Sequence, residues 1–464
     1  MTDAVPDAAV LFSDLVARTA ARDIPASTLR TARLDLLDTI GVAIAGADAL
    51  GVPEARDVLL AWGGTEASSV WSTGRALPPH EAAFLNAMAG HALDYDDQHP
   101  GVLHTGVCVI PAVIATAEAS RVTDMATLLA AIVLGTEVAD RIAVATTDGP
   151  GVTGWLLTPL CGYFGAAAAA AKVMGLDAAH IRHALGFAYA QASGNGQVTL
   201  DGAVAKRMQP GFASRGGVFA AALAARGLTA ALDSLEGPRG FFHVYQRDRY
   251  DRAALTDGLG ATWLIDAATF KPYPCCAWTH AALECAAALR SKGVSRHNLV
   301  SVDVGVNEQA YRSTGTPLPR RYEPKTPVDA QFSIPYTFAT ALVRGTVRLS
   351  DFTPEAFARA DVVSIAARVH PAVDKEIDAA CPREITPARA VAKLLDGSTV
   401  EAEVSRPLGF GERRLSADDL RRKFEDCCAS ARRDERSVER LEQVVLEGGV
   451  GAAAELFALL RAAS

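Results

Sequence analysis

The sequence predicts a mainly α protein: a large helical domain, an inserted α+β domain and a C-terminal helical return. Three observations carry this. Hydrophobic residues make up 50% of the chain but aromatic ones only 6%, so much of the apolar content consists of small residues, notably alanine, which suits close-packed helices. Apolar residues recur at helical spacing from Ala8 to about Ala261. Near Lys271 the pattern changes, and period-two stretches appear before helical patterns resume after Pro407.

The elements follow in order. Ser27 is positioned to cap a helix whose apolar face runs through Leu29, Ala32, Leu36, Leu37, Ile40 and Ile44. Helices are expected over Glu81–Leu93, Pro111–Ser120, Ala126–Ala145, Gly165–Gly175, Ala178–Ala192 and Ser214–Arg226, with Gly175 and Gly227 at helix ends. Val300–Val306 alternates as a half-buried strand does, and Val362–Val369 is a further strand candidate. Ala390–Leu395 and Thr399–Val404, joined across Asp396-Gly397, read as a hairpin. Helical patterns at Val328–Val343 and Pro354–Arg359 lie between these strands. Ser416–Asp419 caps a helix to Ala431, and Ser437–Leu446 and Ala452–Ala462 close the chain. The domain boundaries so drawn are 1–268, 269–407 and 408–464.

Composition excludes several classes. The 464 residues carry a net charge of −8, and no Lys/Arg run offers a footprint for nucleic acid or an anionic membrane. The longest uncharged stretch, Gly149–Ala171, holds Pro150, Pro159 and several glycines, and reads as a buried helix with its approach loop rather than a span. Met1–Phe12 contains Asp3 and Asp7 and lacks a basic region, so export is not expected and a reducing, cytoplasmic setting is. The eight cysteines fall as Cys108, Cys161, Cys275–Cys276, Cys285, Cys381 and Cys427–Cys428, without the spaced pairs that hold zinc.

Three polar clusters could carry chemistry. His91-Ala-Leu-Asp94-Tyr-Asp96-Asp97-Gln98-His99 continues to His104-Thr105-Gly106, placing three carboxylates and three imidazoles between apolar runs. Such a loop can pair a base with an orienting carboxylate, or simply be a solvated, capping turn. Lys206-Arg207-Met-Gln209 leads towards Ser214 and an alanine-rich helix, a pattern of either an anion receptor or a basic turn. Phe270-Lys271-Pro-Tyr273-Pro-Cys275-Cys276 puts a lysine among apolar and proline-fixed neighbours, where it is either desolvated and functional or exposed on a rigid linker. Cys275 and Cys276 are expected to pack rather than react. Gly449-Val-Gly451 follows a helix and reads as a turn.

Together with Leu34-Asp-Leu-Leu-Asp-Thr-Ile-Gly41, the Gly162–Gly175 helix and Phe332-Ser-Ile-Pro-Tyr336, these clusters make the chain resemble the MmgE/PrpD family end to end. The resemblance implies an all-helical domain built from both chain ends with an inserted α+β lid domain, a homodimer, and catalysis without metal or organic cofactor. It implies a catalytic set of Asp94, His104, Lys206, Lys271 and Tyr336. Gln98, Leu156, Arg207 and Gln209 fall at substrate-binding positions, and the first two and Gln209 replace residues common in the family. The implied activity is a lyase, a dehydratase or decarboxylase, on a small anionic polycarboxylate. His104, oriented by Asp94, would move a proton alpha to a carboxylate, the lysines would hold negative charge, and Tyr336 would reach in from the lid. An epimerase using the same site, or a non-catalytic acid-binding homologue, are the alternatives.

Overall fold

The computed structural model describes residues 5–148, 153–382, 385 and 387–463. It is mainly α, and the chain divides into two units. The first joins Met1–Ala92, Asp96–Ala268 and Ala417–Ser464; the second joins Leu93–Tyr95 to Thr269–Ser416.

In the first unit, the alanine-rich composition has a direct geometric use. Helices Met125–Ala145 and Leu157–Val173 cross with their backbones touching: a Cβ on Gly165 would stand 2.7 Å from the Gly135 carbonyl, and one on Gly135 would stand 2.7 Å from the Gly165 carbonyl. Only small residues permit such an approach, and Ala166–Ala171 are completely buried beside it. Helix Ala417–Ser430 docks on helix Ala26–Gly46, where Phe424 packs over Gly41 and Lys423 Nζ lies 2.6 Å from Asp38 Oδ1. Both charged side chains are almost fully buried. Burial pushes the Asp38 carboxyl up to about 7 although Lys423 pulls it down.

Several boundaries differ from the sequence reading. The helix assigned to a Ser27 cap starts at Ala26 after Pro25, with no side-chain cap. Helices starting at Gly106, Leu157 and Ala205 begin several residues before the expected positions, because Pro111, Pro159 and Pro210 are absorbed near their starts rather than preceding them. A short hairpin, β1 (Ser68–Val70) with β2 (Arg75–Leu77), interrupts the region read as helical throughout. Of the uncharged Gly149–Ala171 stretch, residues 149–152 lie outside the described residues. Among the described residues, no helix is long and apolar enough to cross a membrane.

The second unit is built on β3 (Leu299–Val306), β4 (Val369–Val373), β5 (Ala388–Leu394) and β6 (Thr399–Val404), in the order β4-β3-β5-β6. β3 runs parallel to β4 and antiparallel to β5, and β5 and β6 form the hairpin over Asp396-Gly397. Gly397 supplies the left-handed turn residue at φ 83°. Val302, Val304 and Val306 alternate inwards with Ala388, Ala390 and Ala392, against helices His280–Ser291 and Ile334–Arg344. Val362–Val369 is not a strand. Residues Ala360–Ala366 are helical and pairing starts only at Val369, since a short apolar run fits either period. The edge position of β4 accommodates Pro371, which has no N–H to donate. The helical stretch at Val328–Val343 is two helices, Pro327–Gln331 and Ile334–Arg344, the second capped by the Ser333 hydroxyl.

Candidate active site

The polar cluster after helix Pro79–His91 folds into a tight return. His99 and Leu103 form an isolated antiparallel bridge, closed by Gly101 at φ 84° and Val102 at φ 63°. A side chain at Gly101 would also meet Leu103 Cδ1 at 2.9 Å and Ala143 Cβ at 3.0 Å, so the turn needs glycine twice over. The return drives His99 inwards and leaves His104 at the head of helix Gly106–Ser120, where Asp97 Oδ2 accepts the Gly106 N–H at 3.0 Å.

His104 is the most accessible member of this cluster of imidazoles and carboxylates, its side chain 16% exposed over a fully buried Asp96. Its Nδ1 lies 2.6 Å from the Asp97 carbonyl and 3.3 Å from Asp96 Oδ2. A carbonyl only accepts, so Nδ1 carries the proton and Nε2 is the basic nitrogen of the neutral ring. Asp96 Oδ2 also faces His91 Nδ1 at 2.7 Å, and the two rings lie 5.0 Å apart. Sequence reasoning pairs His104 with Asp94; in the structure its Nδ1 faces Asp96 and the Asp97 carbonyl.

Beneath the return lies a fully buried charge cluster. His99 Nδ1 is 2.9 Å from Asp140 Oδ2, and its Nε2 is 2.9 Å from Asp97 Oδ2 and 3.6 Å from Asp35 Oδ2. Thr105 donates its hydroxyl to Asp140 Oδ1 at 2.6 Å. Burial alone would lower the His99 pKa, but Asp140, Asp35 and Asp97 hold it well above the usual imidazole range. Burial also raises Asp140, and burial with the Asp97 charge lifts Asp35 to about 6. Gly106 lets the helix approach this cluster: a Cβ there would sit 2.8 Å from both Asp35 Oδ1 and Thr39 Oγ1.

Two sets among the described residues come close enough to share an ion: His91, Asp96 and His104, and Asp35, Asp97 and His99. In the second set both nitrogens of His99 already face carboxylate oxygens, and in the first the Nδ1 atoms of His91 and His104 face oxygens.

In the second unit, Lys271 is 1% exposed, not an exposed linker residue. Its Nζ donates to both the carbonyl and Oδ2 of Asp94, each at 3.0 Å. Asp94 presents both oxygens from a left-handed backbone at φ 50°, a conformation that Asp tolerates better than most residues. Cys275 is fully buried beside Thr279 and burial pushes its thiol up to about 12, so it packs rather than reacts. Tyr336 lies in the core of this unit, 1% exposed against Phe352 and Phe357, and its hydroxyl donates to the Asp351 carbonyl. The expected proton donor therefore has its hydroxyl bonded inside the unit.

The remaining expected residues lie in the first unit. Lys206 and Arg207 are in the first turn of helix Ala205–Ala224, both buried, with their N–H groups donating to the Ala203 and Val204 carbonyls. The anion receptor expected from N–H groups at Ser214 is therefore absent, because Ser214 is mid-helix. Arg207 Nη1 donates to the Leu50 carbonyl at 2.9 Å. Gln209 clamps Asn195, accepting its N–H at 2.8 Å and donating to its carbonyl at 3.0 Å. Leu156 is half-buried at the start of helix Leu157–Val173, and Gln98 is buried between Asp97 and His99. Sequence reasoning missed Asp140, and it quoted Asp35 and Thr105 within motifs without giving them a role. The available signal was an ionisable residue on an otherwise apolar helical face, as at Asp140 within Met125–Ala145.

Comparison with known proteins shows the family. The MmgE/PrpD N-terminal domain matches residues 11–253, and the MmgE/PrpD C-terminal domain matches residues 273–447. The "cis-aconitate decarboxylase-like protein oryM" of Aspergillus oryzae is 29% identical, covering 99% of each chain. "Cis-aconitate decarboxylase" of Aspergillus terreus is 28% identical over 91% of this chain and 89% of its own. The human protein of that name is 27% identical over 84% and 81%. Matched through both halves, the chain belongs to the MmgE/PrpD family.

Proposed function

We propose that the protein is a lyase that decarboxylates a small unsaturated polycarboxylate of the cis-aconitate kind. The observation that carries the reading is the tautomer of His104. With Nδ1–H donated to the Asp97 carbonyl, Nε2 is the basic nitrogen, the one that takes up and delivers a proton in the proposed reaction. The names of the relatives at 27–29% identity support decarboxylation over dehydration or epimerisation.

In the proposed reaction a carboxylate leaves as carbon dioxide. Its bonding pair stays on the adjacent carbon as a carbanion delocalised into the remaining unsaturated acid. Lys206 and Lys271 stabilise the growing negative charge, and Asp94 fixes the Lys271 ammonium by two hydrogen bonds. His104 Nε2, protonated beforehand from solvent, quenches the carbanion. Leu156 and Gln209 add no imidazole, and Gln209 is engaged with Asn195, so less positive charge is available than the family pattern provides.

The test is incubation with cis-aconitate and a panel of di- and tricarboxylates in deuterated water. Carbon dioxide release and one deuterium in the product are expected, both lost in His104→Ala while the acid still raises the melting temperature. An acid that binds tightly yet undergoes no loss or exchange would overturn the reading. Exchange without loss of carbon dioxide or water would replace it with epimerisation.

A further inference from the structure

We propose that His99, bridging Asp97 and Asp140 beneath the return, is a positioning residue that fixes the tautomer of His104. This rests on the reading of His104 as the proton-moving group.

The geometry links the two imidazoles through one residue. His99 Nε2 lies 2.9 Å from Asp97 Oδ2, an ion-pair contact, and the Asp97 carbonyl in turn accepts His104 Nδ1–H at 2.6 Å. The far side of His99 is anchored outside the loop, on Asp140 of helix Met125–Ala145, which Thr105 also bonds. The His99 N–H donates to the Leu103 carbonyl at 2.8 Å, so backbone and side chain of this residue both set the return that delivers His104. The charged groups facing His99 are Asp35, Asp97 and Asp140; Asp38, on the same helix as Asp35, pairs with Lys423 of helix Ala417–Ser430. A neutral imidazole could meet only one of these carboxylates with an N–H, whereas the doubly protonated ring presents one to each side, bonded to Asp140 and in ion-pair contact with Asp97. The proton count on His99 therefore decides whether Asp97 is held from below while its carbonyl holds His104 from above. Asp96 alone, 3.3 Å from His104 Nδ1, is a looser partner than the carbonyl at 2.6 Å.

The experiment uses the full chain labelled with 15N-histidine, with long-range proton–nitrogen spectra recorded from pH 6 to 8 and no acid present. In the wild type, His99 is expected to carry protons on both nitrogens throughout, and His104 on Nδ1 when neutral. In folded His99→Gln, His104 becomes a tautomer mixture. Decarboxylation by that variant falls by about 10- to 100-fold in kcat, with KM within about threefold, a share of what a proton-transfer group supplies. Asp140→Asn, which keeps the bond from Thr105, moves the same His104 resonances less far, and decides the matter if His99→Gln does not fold. A neutral His99 at pH 7, a wild-type His104 protonated on Nε2, or an unchanged His104 tautomer in either folded variant overturns the proposal. The tautomer signals need no substrate. If they respond while no acid is turned over, the positioning role stands and the proposed reaction falls.

Discussion

Replacing Lys423 by methionine should destabilise the first unit in a pH-dependent manner. Asp38 titrates at about 7 with Lys423 beside it, burial being the larger influence and Lys423 opposing it. The folded chain therefore holds a proton that the unfolded chain releases near 3.8, and this contribution to stability is lost as pH rises through about 7. Without Lys423 the carboxyl pKa moves higher still. At pH 6, Asp38 is protonated in both proteins and the proton-linked difference is small. At pH 8 the wild-type carboxylate is ionised against its lysine, whereas in Lys423→Met it must keep its proton. Holding a proton one unit above the wild-type pKa costs about 1.4 kcal/mol. Urea unfolding at the two pH values should thus give a Lys423→Met penalty larger by about 1.4 kcal/mol at pH 8. Asp38→Asn should flatten the dependence. Equal penalties at both pH values would refute the reasoning, because they would mean that Asp38 is ionised throughout.

Three further outcomes follow from the same geometry. Gly41→Ala should cost about 1–3 kcal/mol in urea unfolding, since the new Cβ would lie 2.9 Å from Phe424 Cδ2; stabilisation would show that helix propensity outweighs the helix contact. Tyr336→Phe should keep the proposed decarboxylation within about threefold and lose about 1 kcal/mol of stability, whereas a proton donor would lose about 100-fold or more. Of the eight cysteines, seven are buried and Cys381 is partly exposed, so a disulfide reagent should show one fast thiol in the native protein and the rest only on unfolding.

The helices were legible because period 3.6 persists over many residues, and the Asp396-Gly397 hairpin because its turn chemistry is local. Legibility failed where the deciding interactions were not local. The run Val362–Val369 fits a strand or a helix, and only the pairing of Val369 with Val302 ends the ambiguity. The β1–β2 hairpin is three residues a side, too short to show alternation. Within the site, the motif placed the carboxylates and imidazoles on one loop but could not tell which carboxylate faces which ring. Neighbours in sequence separate in space here: Asp94 turns to Lys271, while Asp96 faces two imidazoles. The partners of His99 come from helices Ala26–Gly46 and Met125–Ala145, far from the motif that announces it.

The three residues Leu93–Tyr95, which belong to the second unit although the chain on both sides of them belongs to the first, bear on how this protein can be taken apart. The bonds from Lys271 to Asp94 span 177 positions of sequence. A fragment cut at the apparent boundary before Thr269 would carry Lys271 into its interior without the carboxylate that meets it there. Gene fusions, split expression or circular permutation that treat residues 269–416 as a self-sufficient module would sever this buried bond, whichever linker is used.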